Sequence, residues 1–169
     1  MLRIISALVS LSLLLGDGAV DFSGVWRTDP ARSESAHQDT PVGPITLDIS
    51  QTPQSISIET KTSEKDRPLV ANEKLVYRLD GNPNRVTANG VEVTCTARWK
   101  GDVLVLETLR NLNESTVATH WELRMNPNGK EISIRKSLTV QHGYQAPGPA
   151  NNVGVATDVF RKVGTAAGK

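Results

Sequence analysis

From residue 45 onward, apolar and polar residues alternate along most of the chain, and this period of two constrains the fold more than any other feature. Residues 45–50 read Ile-Thr-Leu-Asp-Ile-Ser, and residues 91–100 and 117–125 continue the pattern over longer stretches. Alternation over five or more residues is typical of a β-strand with one buried and one exposed face. Beyond the N-terminal region, no segment keeps a helical period for three turns, so the sequence predicts an all-β domain.

Turn-forming residues separate the alternating segments. Residues 126–129 combine a proline, which sets φ early in a turn, with an Asn-Gly pair that accepts positive φ late in it. Residues 80–84 and 87–90 have similar turn chemistry. Strands at intervals of about 8–12 residues with such turns are typical of a barrel or a sandwich. We predict nine or ten strands, at about 22–27, 44–51, 54–62, 73–80, 84–88, 91–100, 102–110, 115–126, 130–139 and 156–162.

The N-terminus has the composition of a secretion signal. Arg3 supplies a positive charge, residues 4–15 are an apolar run broken only by serines, and small residues follow at Gly18 and Ala19. The run is about a dozen residues long, whereas a membrane-spanning helix needs about 20. We therefore predict a signal peptide at 1–18, one domain at 19–169 and a secreted or periplasmic protein of the cell envelope with no stable membrane span after signal removal. An uncleaved N-terminal anchor is the alternative.

Charge and cysteine content exclude two further classes of protein. The net charge is +1 and no basic stripe is present, so nothing in the sequence indicates nucleic-acid binding. Cys95 is the only cysteine, which excludes an intramolecular disulfide. We interpret Cys95 as a small buried hydrophobic residue. The sequence carries no signal for an oligomeric state.

The start of the predicted domain contains a Gly-x-Trp motif, Gly24-Val25-Trp26, ahead of the series of strands. In this position the motif resembles that of the lipocalin-like barrels, the calycins. The resemblance implies a single antiparallel up-and-down barrel of about 8–10 strands. It also implies that Trp26 closes one end, that Gly24 lets the backbone pass close by, and that a basic residue of the last strand lies over the indole. We assign that role to Arg161, and Lys162 is the competing candidate.

A longer resemblance covers most of the domain. Residues 21–33 read DFSGVWRTDPARS and are similar to the opening D-F-S-G-x-W-x-x-[ND]-P-x-[KR]-S of a group of small exported bacterial proteins with a lipocalin-like barrel. Residues 97–107 and 121–130 resemble two hairpins of the same group. The group has no established reaction, so the resemblance implies fold and bacterial export only.

Candidate ligand-binding residues come from the face that alternation assigns to the interior. Most residues on this face are aliphatic, and Tyr77, Thr119 and Lys136 are the polar exceptions. A few polar groups in an apolar wall are typical of a ligand pocket, because they orient the bound molecule. A barrel of this size can also be filled by its own side chains. The long loop 28–43 would act as a lid over the open end.

Nothing in the sequence predicts catalysis, a metal site or a cofactor. The three histidines, at 37, 120 and 142, share no metal-like spacing with other ligands. Neither a Gly-x-Ser-x-Gly nucleophile motif nor a phosphate-binding glycine loop is present. The leading hypothesis is an exported, non-catalytic binding protein for a small apolar or amphipathic ligand. The alternative is an interaction or structural module of the cell envelope, with a filled barrel and no small-molecule ligand.

Overall fold

A computed structural model of the chain describes residues 20–39, 41–62, 72–143 and 152–165, and the predicted signal peptide at 1–18 lies outside these ranges. The described part contains ten β-strands and two short 3₁₀ helices. The strands are β1 (Gly24–Thr28), β2 (Ile45–Gln51), β3 (Ser55–Thr62), β4 (Glu73–Arg78), β5 (Asn84–Ala88), β6 (Val91–Lys100), β7 (Val103–Leu112), β8 (Ser115–Met125), β9 (Glu131–His142) and β10 (Asn152–Gly164). The helices, η1 (Pro30–Arg32) and η2 (Glu34–His37), lie between β1 and β2.

The strands form one antiparallel sheet in the order β4-β3-β2-β1-β10-β9-β8-β7-β6-β5. The first and last strands, β1 and β10, pair in the middle of this order, and β4 and β5 are the two edge strands. The sheet curves so that these edge strands lie side by side. Asn84 links these two edges through its side-chain amide, which donates to the Val76 carbonyl (2.9 Å) and accepts from the Arg78 backbone N–H (3.2 Å). The sheet is therefore a nearly closed antiparallel barrel, which confirms the predicted fold class.

One end of the barrel is filled by large apolar side chains. Trp26, Phe22 and Phe160 are fully buried there and pack with aliphatic residues from most of the strands. Val105 lies on the outer face of the sheet, because β7 pairs it with the outward-facing Arg98 and Glu122. Alternation could not choose between the two faces, since residues 103–106 are all apolar.

Trp26 is fully buried in the filled end, and its cationic partner is Lys162, so the assignment of Arg161 is corrected. The Lys162 Nζ lies 5.1 Å from the centre of the Trp26 ring, and the indole N–H donates to the Phe22 carbonyl (2.8 Å). The strand register decides this, because Trp26 is paired with Lys162 and lies on the same face of the sheet. Arg161 points outward, is 61% exposed and binds Asp29 (2.7 Å).

Gly24 lies where the first strand passes close to Lys162, and its φ of +147° is one that residues with a side chain rarely adopt. A Cβ at this position would lie 2.5 Å from the Lys162 Cε and would displace this side chain from Trp26. We expect Gly24→Ala to lower the free energy of unfolding by about 1–3 kcal/mol, measured by denaturant titration.

Gly154 is the matched control, since a Cβ there would meet nothing within 4 Å. Gly154→Ala is expected to leave stability unchanged or slightly raised. Equal effects of the two substitutions would contradict the close approach at Gly24.

Candidate functional site

The half of the barrel away from Trp26 is incompletely filled and contains two neighbouring spaces. The larger, here called the barrel pocket, has a volume of 270 Å³ and opens to solvent. The smaller, here called the inner cavity, has a volume of 50 Å³ and is more enclosed. Thr119 and Trp121 line both, so the two spaces adjoin at these residues. The barrel pocket is lined by Ser35, Gln38, Thr119, Trp121, Lys136, Ser137, Leu138, Gly154, Val155 and Ala156, and the inner cavity by Ile58, Thr60, Glu73, Leu75, Tyr77, Thr108, Arg110, Thr119 and Trp121.

The three residues proposed from the sequence as ligand contacts lie in this half of the barrel. Tyr77 is buried and lines the inner cavity, and Lys136 lines the barrel pocket. Thr119 lies between them, and its hydroxyl hydrogen-bonds to that of Thr108. The structure therefore brings Tyr77, Thr119 and Lys136 to adjoining spaces, although their binding of a ligand is still a prediction.

Lys136 does not present a free charge to the pocket, because it pairs with the fully buried Asp158. The Lys136 Nζ lies 2.5 Å from the Asp158 Oδ2 and between two aromatic rings, 5.7 Å from the centre of Trp121 and 5.6 Å from that of Phe160. Ser35 completes the site by donating its backbone N–H (3.0 Å) and its hydroxyl (2.7 Å) to the same carboxylate. Burial acts to raise the pKa of Asp158, but Lys136 and Ser35 outweigh it and hold the pKa below its ordinary value.

A second ion pair, between Glu73 of β4 and Arg110 of β7, borders the inner cavity. One guanidinium nitrogen of Arg110 donates to the Glu73 Oε1 (2.8 Å), and both side chains are mostly buried. The Glu73 Oε2 and the Arg110 Nε are also buried, and neither has a hydrogen-bond partner within the described ranges. Two neighbouring groups are affected by their own burial. It raises the pKa of the Tyr77 hydroxyl, and it raises the pKa of the Cys95 thiol to about 11.

The second 3₁₀ helix, η2, forms part of the wall of the barrel pocket through Ser35, and Gln38 follows it there. The chain leaves β1 after five residues, and Asp29 caps η1 by accepting from the Ala31 backbone N–H (3.2 Å). The segment then runs along β10, where the Ser33 hydroxyl accepts from the Val159 N–H (3.0 Å) and Glu34 accepts from the Thr157 N–H (2.6 Å). The described residues of segment 28–43 thus border the open half as expected, while the action of the segment as a lid is still a hypothesis.

A shallow groove of 330 Å³ lies on the outer face of β6–β9. Outward-facing threonines border it, together with Ala118 and the 44% exposed Leu109. His120 borders the groove and contacts Glu107 (3.1 Å), which also binds Arg98 (2.6 Å). Arg98 is the main cause of the lowered pKa of Glu107. This outer groove is a second concave surface, separate from the barrel interior.

Within the described ranges, no three His, Cys, Asp or Glu side chains are grouped so that they could hold a metal ion. None of the helices in the same ranges is long and apolar enough to cross a membrane.

Sequence reasoning missed the charged residues that border the two interior spaces. Asp158 is two residues before Phe160, and Glu73 is two residues before Leu75, so the period of two assigns both to the inward face. Arg110 follows Thr108 on the same face of β7. The signal that could have found them was therefore a charged residue at an inward position of a strand.

No protein-family model matches the chain, and no curated protein matches its sequence. Several solved structures share its architecture, and two of them align as follows. A secretory abundant heat soluble protein of Ramazzottius varieornatus aligns with 84% of this chain and 95% of its own, at a TM-score of 0.55 and 13% identity. Fatty-acid-binding protein 1 of Echinococcus granulosus aligns with 84% of this chain and 97% of its own, at a TM-score of 0.51 and 13% identity. At this identity the likeness establishes a calycin-like barrel fold and nothing finer.

Proposed function

We propose that this chain is an exported, non-catalytic protein that binds one small apolar or amphipathic molecule in the barrel pocket. The observation that carries the proposal is the contrast between the two halves of the barrel. Side chains fill the end closed by Trp26, whereas the other half contains the 270 Å³ barrel pocket. This volume is close to the lower end of ligand pockets, which span about 300–1,000 Å³.

The lining of the pocket has the chemistry that such a ligand requires. Leu138, Ala156 and the Trp121 ring supply apolar surface, and Thr119 supplies a hydroxyl. A mostly apolar wall with few polar groups binds the body of a ligand by desolvation and orients it by hydrogen bonds. The architecture is compatible with this role, since one of the similar structures is by name a fatty-acid-binding protein.

Cys95 supports the non-catalytic part of the proposal. Its side chain is buried, and its pKa of about 11 keeps it protonated at neutral pH. Because the thiolate is the nucleophilic form of cysteine, this thiol is poorly suited to covalent catalysis. Export is proposed from the sequence of residues 1–18 alone.

Native mass spectrometry of the protein purified from the cells that produce it tests ligand and export together. We expect a mass lowered by cleavage after Gly18 or Ala19, and an additional mass from a co-purified small molecule that is lost on denaturation. A full-length, ligand-free protein in the envelope fraction would contradict the proposal.

Two substitutions that replace an alanine by phenylalanine locate the binding site. Ala156 lines the barrel pocket and Ala118 lines the outer groove. We expect Ala156→Phe to weaken binding of the co-purified molecule by about tenfold or more, because the added ring occupies the pocket, and Ala118→Phe to leave it unchanged. Isothermal titration calorimetry measures both affinities.

The 330 Å³ outer groove favours a second candidate, an interaction module of the cell envelope. In that case the pattern reverses: Ala118→Phe impairs association with an envelope partner, and Ala156→Phe does not. The same two variants, assayed in pull-downs from envelope extracts, therefore separate the two functions.

A further inference from the structure

Glu73 and Arg110 are the charged residues in the lining of the inner cavity, which also contains the polar residues Thr60, Tyr77, Thr108 and Thr119. Their single hydrogen bond leaves a carboxylate oxygen of Glu73 and the Nε–H of Arg110 buried without partners in the described part of the chain. Buried polar atoms in folded proteins are nearly always hydrogen-bonded, and charged ones most of all. The ion pair that lines the cavity thus has one unused acceptor and one unused donor.

The charges that border the two interior spaces cancel. Lys136 is matched by Asp158, whose carboxylate also accepts two hydrogen bonds from Ser35, so that pair is well satisfied. Arg110 is matched by Glu73. A ligand carboxylate placed beside Arg110 would also approach the Glu73 carboxylate, and like charges at close range repel strongly in a poorly solvated site.

Resting on the proposed function, we propose that the ligand of the barrel is a neutral amphiphile whose head group, an amide or an alcohol, binds between Glu73 and Arg110. An amide N–H or an alcohol O–H donates to the Glu73 Oε2, and the amide carbonyl or alcohol oxygen accepts from the Arg110 Nε–H. Such a group satisfies both unpartnered atoms and adds no charge, whereas a carboxylate satisfies only the donor.

The sizes and positions of the two spaces fit a ligand with a small head group and a longer apolar part. The inner cavity of 50 Å³ has room for a head group of a few atoms but not for a chain. The apolar part of the molecule lies in the 270 Å³ barrel pocket, which it reaches past Thr119 and Trp121. The head group is thereby placed deeper in the barrel than the chain.

Octanamide, 1-octanol and octanoate have the same chain length and differ in head group, so their affinities distinguish a neutral head group from a carboxylate. Calorimetric titration at neutral pH is expected to give octanamide and 1-octanol affinities about tenfold or more above that of octanoate. Glu73→Gln removes the negative charge and leaves Arg110 uncompensated, so this variant is expected to bind octanoate better and octanamide no better than the wild type. Glu59→Gln is the matched control, because Glu59 lies on the outer face of β3 with a 40% exposed side chain.

The outcomes distinguish this inference from the proposed function. Octanoate binding as tightly as octanamide, with both weakened by Ala156→Phe, would overturn the neutral head group and leave the binding function standing. An unchanged amide-to-carboxylate ratio in a folded Glu73→Gln protein would overturn the Glu73–Arg110 subsite. If none of the three compounds binds and no molecule co-purifies, both proposals are wrong. The wild-type comparison decides the question even where Glu73→Gln does not fold.

Discussion

Trp26→Ala is expected to lower the free energy of unfolding by about 3–5 kcal/mol, the range for removing a large buried aromatic side chain. Trp26 is fully buried at the closed end, hydrogen-bonds to the Phe22 carbonyl and lies beneath Lys162. Truncation leaves a cavity in the best-packed part of the barrel and removes both polar contacts. Denaturant unfolding followed by circular dichroism measures the change.

Trp121→Ala is the matched control for this substitution. Trp121 is only partly buried and already borders two open spaces, so its removal is expected to cost less than half as much. Equal losses from the two variants would mean that Trp26 has no special role in closing the barrel.

Asp158→Ala is expected to cost about 3–5 kcal/mol, because removing one partner of a buried ion pair leaves the other charge uncompensated. Here the residual groups are Lys136 and the two Ser35 donors, so the variant also loosens η2 from β10. Asp102→Ala, in the exposed turn between β6 and β7, is the control and is expected to be nearly neutral. A small loss for Asp158→Ala would contradict the buried pair.

The pH dependence of stability provides an independent readout of the same carboxylate. The pKa of Asp158 is lower in the folded protein than its unfolded value of about 3.9. The stabilisation that the ionised Asp158 gives the folded protein is therefore fully present above its pKa in the unfolded state. It is lost as the pH falls through its pKa in the folded state. We expect the difference in stability between wild type and Asp158→Ala to be constant near neutral pH and to shrink in strong acid. A difference that grows on acidification would mean that the folded-state pKa is raised instead.

These predictions separate two functions of the barrel interior. The end around Trp26 provides stability through apolar packing, and the other half contains paired charges beside unfilled space. Substitutions at the first end should change stability with little specific effect on a ligand. Substitutions at Ala156 or Glu73 should change ligand binding or selectivity, which is the division that the calorimetric experiments measure.

The sequence predicted the fold class and most of the strands, because period-two alternation and turn residues are local signals of a half-buried sheet. It also placed Trp26 in the barrel wall and Tyr77, Thr119 and Lys136 on the inner face. It could not choose between Arg161 and Lys162, since that choice depends on the register of β10 against β1. Nor could it decide which face of residues 103–106 points inward, where every residue is apolar.

Long-range packing determines which charges meet inside the barrel and where space is left. Glu73 and Arg110 are 37 residues apart, and Lys136 and Asp158 lie on different strands, so no local pattern pairs them. The two interior spaces depend on how side chains from many strands pack together, and that sum is not contained in any single strand. The alternation of the sequence therefore accounts for the barrel, whereas register and long-range packing account for its candidate site.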